Sequence, residues 1–210
     1  VKHEFYESWL AGAIAIYTLG YIVFGAIYGK EHFQVKEVSI QSKDIPKGFN
    51  GYRIVQLSDI HAGSWVGNQK GLEKAIQKIN TLLPDLILFT GDLVNNLPTE
   101  LDEFIPVLSQ LKAKDGIYSV LGNHDYSLYI KWDNPEDQKA NLDSLMAKEA
   151  QMGWQLLNNR HVILHQNNDS IALIGVENSG NPPFPHYSDL KNAMEGTDGM
   201  FKILLSHDPS

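Results

Sequence analysis

Three short apolar runs punctuate the middle of the chain: Arg53 to Ser58 (RIVQLS), Leu86 to Thr90 (LILFT) and Ile117 to Leu121 (IYSVL). Each is closed by turn residues, as expected of strands buried on both faces of a mainly parallel sheet. The gaps between them carry a helical period. Leu72, Ala75, Ile76, Ile79 and Leu83 predict a helix over residues 68–83. Leu101, Phe104, Ile105, Leu108 and Leu111 predict a second over 99–111, with Thr99 as its N-cap. The order is β-α-β-α-β, which makes the fold class α/β, and ligands of such sheets gather beyond the carboxyl ends of neighbouring strands.

Further along, Leu142, Leu145, Met146 and Met152 mark another helix. Val162 to Leu164 and Ile171 to Val176, separated by Asn167-Asn168-Asp169-Ser170, predict a hairpin, and Phe201 to Leu205 a last strand. Before the first run, Val35 to Ile40 alternates (VKEVSI) and predicts an early strand, with a turn at Pro46-Lys47-Gly48.

The amino end differs in kind. Ser8 to Gly29 is a run of 22 residues without charge. As a helix it would be roughly 33 Å long, enough for a bilayer core. Eight strongly apolar side chains, partly offset by four glycines, favour insertion by roughly 2 to 5 kcal/mol. A buried helix of a soluble domain is the alternative. A cleaved signal peptide fits poorly, because the core is too long and no small-residue cleavage site precedes Lys30. The expected division is residues 1–34 for the span and its flanks and 35–210 for an α/β domain. Lys30, Lys36, Lys43 and Lys47 follow the span and only Lys2 precedes it, which leans the domain toward the cytoplasmic side of a bacterial inner or plasma membrane.

Each strand of the central set ends in polar chemistry. Asp59-Ile60-His61, Gly91-Asp92 and Gly122-Asn123-His124-Asp125 stand directly after the three runs, and Ser206-His207-Asp208 follows the last strand. Carboxylates, imidazoles and an amide oxygen suit Mn, Fe, Zn or Mg rather than a soft ion. One aspartate after a strand is ordinarily a turn former; three such motifs on three successive strands make a two-metal phosphoesterase site the better reading.

The pattern D-x-H, G-D, G-N-H-D and a later lone H resembles the calcineurin-like metallophosphoesterases, over residues 52 to 210, and within them a membrane-attached bacterial branch. The resemblance implies a β-sheet sandwich flanked by helices. It implies two divalent metal ions that activate water: Asp59 and His61 on the first, Asp92 bridging, Asn123 and His207 on the second. It also implies His124 as the acid that protonates the leaving oxygen, oriented by Asp125. The family's closing G-H-x-H is not in the chain, which begins at Val1, so a fragment cut at both ends is expected.

Composition is ordinary for a globular domain, with 43% hydrophobic and 20% charged residues. The net charge of −8 and the lack of Lys/Arg clusters argue against a nucleic-acid partner. The absence of cysteine suits either side of a membrane. The expected substrate is a phosphodiester or pyrophosphate, lipid-linked or a nucleotide sugar such as UDP-diacylglucosamine. A phosphoprotein phosphatase and a non-catalytic membrane-tethered binding module are the alternatives. The aromatics of Tyr126 to Trp132 would contact substrate or pack the domain edge. The Pro-rich loop Glu177 to Tyr187 would border the site, with His186 near phosphate or solvated, and His161 and His165 are expected at the surface.

Overall fold

The computed structural model describes residues 2–181 and 185–208. The chain divides into two units, Val1–Ser39 and Ile40–Ser210. The first is dominated by α1 (Lys2–Tyr28), in which Ser8–Ala26 has a mean hydropathy of 1.7. Its length and composition suffice to cross a membrane, and every side chain from Ser8 to Ala26 is exposed. A helix that is apolar on all sides has no polar face to turn to water, so lipid is its natural surroundings.

In the second unit, β1 (Ile54–Leu57), α2 (Gln69–Thr81), β2 (Leu86–Phe89), α3 (Ile105–Leu108), β3 (Ile117–Ser119), α4 (Pro135–Gln151) and β4 (Gln155–Leu156) follow one another. The four strands form one parallel sheet in chain order. The hairpin β5 (Arg160–Gln166) and β6 (Asp169–Gly175), then α5 (Leu190–Ala193) and β7 (Phe201–Leu205), build a second sheet in which β7 runs parallel to β6.

Strand periodicity explains the layers. Ile87, Phe89, Ile117 and Leu121 meet Leu72, Ile76, Leu101, Phe104, Leu108 and Leu145 on one face of the first sheet. The alternate residues Leu86, Leu88, Tyr118 and Val120 meet Leu164, Ile171, Leu173 and Leu205 of the second. Ala172 and Ile174, on that sheet's far side, are covered by Ala193, Met194 and Met200. The result is the expected sandwich of sheets flanked by helices. Each of these buried Leu, Ile and Phe side chains contributes about 1.5 to 3 kcal/mol against exposure.

Three expectations fail. The first run is not buried on both faces: β1 is an edge strand, with Ile54 and Gln56 exposed and Val55 and Leu57 half buried, because only β2 flanks it among the described residues. Residues 35–40 form no strand, and Val35, Val38 and Ile40 are exposed, because alternation alone supplies no partner to pair with. The helix over 99–111 is broken into a 3-10 turn at Pro98–Leu101 and the single turn α3, and the turn's N-cap is Leu97, not Thr99. Pro98 starts the turn, and Pro106 lacks the N–H a continuous helix would need. The apolar positions are nevertheless buried as their spacing implies: Leu101, Phe104, Leu108 and Leu111 all lie in the core.

Candidate metal centre

Strand register brings the motifs together. Leu57, Phe89 and Ser119 are aligned across β1, β2 and β3, so the chain leaves all three at one sheet edge. The departing loops are then laced to one another: Asp59 N–H donates to Gly91 O at 3.0 Å, His61 N–H to Asp92 O at 3.1 Å and Ala62 N–H to Leu93 O at 2.9 Å. The geometry costs backbone strain. Asp59, His61 and Asp92 have φ of 55°, 47° and 60°. Non-glycine residues held there cost about 1 to 3 kcal/mol each and cluster at functional sites.

The two motif glycines are required by contact. A Cβ on Gly122 would lie 2.2 Å from Asp92 Oδ1, and one on Gly91 would meet Gly122 N at 2.5 Å and His207 Nδ1 at 2.8 Å. Only bare backbone lets the second and third motifs approach this closely.

Asp92 is the hub. Its carboxylate is buried, and Oδ2 lies 3.6 Å from His61 Nε2 and 3.5 Å from His207 Nε2, while Oδ1 accepts from the His124 N–H at 3.0 Å. His61 Nε2 is also 3.7 Å from Asp59 Oδ1, and Asp59 is half exposed. His207 arrives from β7 of the other sheet, with Nε2 3.1 Å from Asn123 Oδ1. Asp59, Asp92 and His207 each offer one ligand atom, all within 4.8 Å of one another, and so do His61, Asp92 and His124.

The donor chemistry fits cations. His207 Nδ1 is 2.7 Å from the carbonyl oxygen of Thr90, so that nitrogen carries the proton that bonds it. In the neutral ring, Nε2 then presents a lone pair to two other acceptors, Asn123 Oδ1 and Asp92 Oδ2. Converging lone pairs repel one another unless a positive charge lies among them. The set Asp59, His61, Asp92, Asn123 and His207 could hold divalent ions.

Asp125 stands elsewhere than expected. Its Oδ2 accepts from Asp92 N–H and Gly122 N–H, both at 2.9 Å, and its Oδ1 from Leu93 N–H at 2.9 Å and Val94 N–H at 3.2 Å. Burial pushes its carboxyl up to about 6; the amide bonds oppose this by favouring the charged form, and Asp92 adds to it. The expectation that Asp125 orients His124 is therefore corrected. His124 Nδ1 is held instead by Asn95 O at 2.7 Å. The side chain of Asp125 is used up by four backbone amides that have no strand partners, so it is not available to the imidazole.

Glu100, which pattern reading passed over, does the same for the next residues. Its Oε1 accepts from Asn96 N–H and Leu97 N–H at 2.8 and 2.9 Å, and its Oε2 from Asn95 N–H and Gly63 N–H at 2.6 and 3.0 Å. Two carboxylates thus capture every backbone amide from Asp92 to Leu97. The signal was present as half of a capping box: a glutamate three residues into a turn begun by Pro98.

The aromatics after His124 divide between the two roles. Tyr126 is buried, donates to Glu177 Oε1 at 3.0 Å and stacks with Tyr187 at 4.7 Å, so it packs the domain; Tyr129 is exposed and touches the site. Of the loop over 177–187, residues 182–184 lie outside the described ones. His186 bonds Ser179 Oγ at 2.7 Å rather than any of the site residues. His161 is half buried, with Nδ1 2.9 Å from Ala193 O, and is not the surface residue expected; His165 is exposed.

A fold of two sheets with carboxylates and imidazoles gathered at one edge defines a metallophosphoesterase. The chain belongs to the calcineurin-like phosphoesterase family, whose model matches residues 52–210. It is 31% identical over 202 residues to a "transmembrane protein with metallophosphoesterase domain" of Danio rerio, covering 92% of this chain and 43% of that protein. It is 31% identical to the metallophosphoesterase YkuE of Bacillus subtilis, covering 97% of this chain and 69% of that one. Over 94 residues, 43% of this chain and 28% of the relative, it is 39% identical to the UDP-2,3-diacylglucosamine pyrophosphatase LpxG of Chlamydia trachomatis. The chain thus spans less than half of the zebrafish protein. The relatives described as transmembrane and the apolar helix α1 together point to association with a membrane.

Proposed function

We propose that the chain is the catalytic part of a membrane-attached, metal-dependent phosphoesterase that hydrolyses a phosphodiester or pyrophosphate bond. The observation that carries this is the convergence of His61 and His207 on the buried carboxylate of Asp92, with Asp59 beside His61 and Asn123 beside His207. In this reading Asp59 and His61 hold one cation, Asn123 and His207 another, and Asp92 both. Two divalent ions there would supply Lewis acidity toward the phosphoryl oxygens and lower the pKa of a water nucleophile.

The chain's own residues do the rest. His124, anchored at Nδ1 by Asn95 O, keeps its other ring nitrogen for a proton passed to the departing oxygen. Its ring stands edge-on to His61 at 4.8 Å, beside the proposed first cation. Glu100 and Asp125 fix the loop that carries Asn95 and Asp92, which pre-organises the anchor of His124.

Likeness to LpxG and the apolar helix favour a lipid-linked substrate or a nucleotide sugar such as UDP-diacylglucosamine. The excess of lysines after the apolar helix favours a domain on the cytoplasmic side. The test is metal content and hydrolysis of a chromogenic diester, a monoester and a lipid pyrophosphate by the full chain in detergent. Two bound metals and turnover are expected. A metal-replete protein inactive on all three would favour a tethered binding module, and a preference for phosphoprotein would favour a phosphatase.

A further inference from the structure

The turn after His124 folds the chain back over the site. Ser127 has φ of 55° and is fully buried, its N–H donates to His124 O at 2.9 Å, and its side chain is bonded by Asn141 Nδ2 of α4 at 2.6 Å. Its hydroxyl in turn donates to Asn96 O. Trp132 Nε1 closes the turn on Ser127 O at 3.0 Å. This reversal returns Tyr129 to the residues that precede the turn. Its hydroxyl accepts from Asn123 Nδ2 at 2.6 Å, and its ring lies 4.5 Å from that of His124 at an interplanar angle of 35°.

One side chain therefore touches both Asn123 and His124. An asparagine that gives Oδ1 to a cation turns its NH2 the opposite way, and that NH2 needs an acceptor. Without one, the amide can rotate and aim its NH2 at the lone pairs of His207 and Asp92. It would then satisfy, as a hydrogen-bond donor, the place a cation would take. The ring contact acts separately, by limiting where the His124 imidazole can swing.

Resting on the phosphoesterase reading above, we infer that Tyr129 is a positioning residue with two separable parts: its hydroxyl sets the Asn123 amide for the second cation, and its ring holds His124. Tyr129→Phe removes the first part and Tyr129→Ala removes both. The residue is 51% exposed, so neither variant opens the core.

The experiment uses the full chain in detergent, stripped of metal and titrated with Mn2+ by calorimetry and electron paramagnetic resonance, beside diester turnover at limiting and saturating Mn2+. For Tyr129→Phe, loss of one hydrogen bond to the ligand amide weakens one of two Mn2+ sites by about 3- to 10-fold. Its kcat returns to the wild-type value once Mn2+ saturates. Tyr129→Ala shows the same weakening plus a fall in kcat that Mn2+ does not restore. Wild-type Mn2+ isotherms for Tyr129→Phe would overturn the hydroxyl's role, and a Tyr129→Ala kcat equal to that of Tyr129→Phe would overturn the ring's. A wild-type protein that binds no Mn2+ and hydrolyses no ester would bring down the phosphoesterase reading itself, a result separate from either.

Discussion

His124 Nδ1 lies 2.7 Å from the backbone carbonyl oxygen of Asn95, a residue 29 positions earlier in the chain. The anchor of this imidazole is thus a loop carbonyl, and the loop is rigid because two carboxylates hold its amides. Orientation of His124 is inherited from Glu100 and Asp125 without either touching the ring.

His124→Ala removes the proposed leaving-group acid while sparing the proposed ligands Asp59, His61, Asp92, Asn123 and His207. Metal content should stay at the wild-type level and kcat should fall by about a hundredfold to ten-thousandfold for poor leaving groups. A good leaving group such as nitrophenolate should suffer much less. Equal losses for both would show that His124 does not deliver the proton.

Glu100→Gln places an NH2 where a carboxylate oxygen accepts two N–H groups. The donor-donor clash should destabilise the domain by about 1 to 3 kcal/mol and release Asn95 O. Turnover should drop about tenfold with Mn2+ stoichiometry unchanged, since the amides that Glu100 holds belong to Gly63, Asn95, Asn96 and Leu97, none of them a proposed ligand. Urea unfolding and metal analysis of the same preparation check both halves.

Gly122→Ala drives a methyl group to within 2.2 Å of Asp92 Oδ1 and 2.5 Å of the backbone N of Asp92, so both the carboxylate and the loop that carries it must shift. The expected result is loss of bound metal in a protein that still shows native circular dichroism, because the damage is local to Asp92 and its loop. Unchanged metal affinity would mean that Asp92 is not the shared ligand.

Glu149 gives the pH dependence. It is fully buried at the end of α4, bonded by the Ser119 hydroxyl at Oε2, and Oε1 has no hydrogen-bond partner among the described residues. Burial raises its pKa from 4.5 to about 8; the Ser119 bond lowers it and the charge of Asp125 raises it. Between these values the folded chain keeps a proton that the unfolded chain has lost. Stability should therefore decline as pH rises from about 4.5 toward 8 and level off above, a change on the order of a few kcal/mol. Glu149→Gln, neutral in both states, should flatten the decline. Urea midpoints at pH 5 to 8 that fall equally steeply in wild type and variant would contradict this.

Much of the molecule was legible without coordinates. Local hydrophobic period placed β1, β2, β3, α2, the hairpin and β7, since burial on one or both faces is written into consecutive residues. The motif residues Asp59, His61, Asp92 and Asn123 could be brought together from the sequence because strand ends in a parallel sheet must share an edge, whereas His207 follows β7 of the second sheet and joins them only through the packing of the two sheets. The apolar helix announced itself by length alone.

What the tertiary structure alone decided are the partnerships between distant residues. Residues 35–40 alternate yet pair with no strand among the described residues, because a strand needs a neighbour that periodicity cannot supply. Pro106 divided an otherwise regular helical stripe, so its apolar residues reached the core without a continuous helix. The sequence neighbours His124 and Asp125 point to different tasks, one to Asn95 O and the other to four amides, because backbone groups left unpaired by a sharp turn must be satisfied first. Glu100 and Tyr129 took their places at the site through turns whose direction depends on packing against α4 and the loop after β2. The sequence by itself determined which chemistry reaches the sheet edge; the fold decided which side chains hold it there.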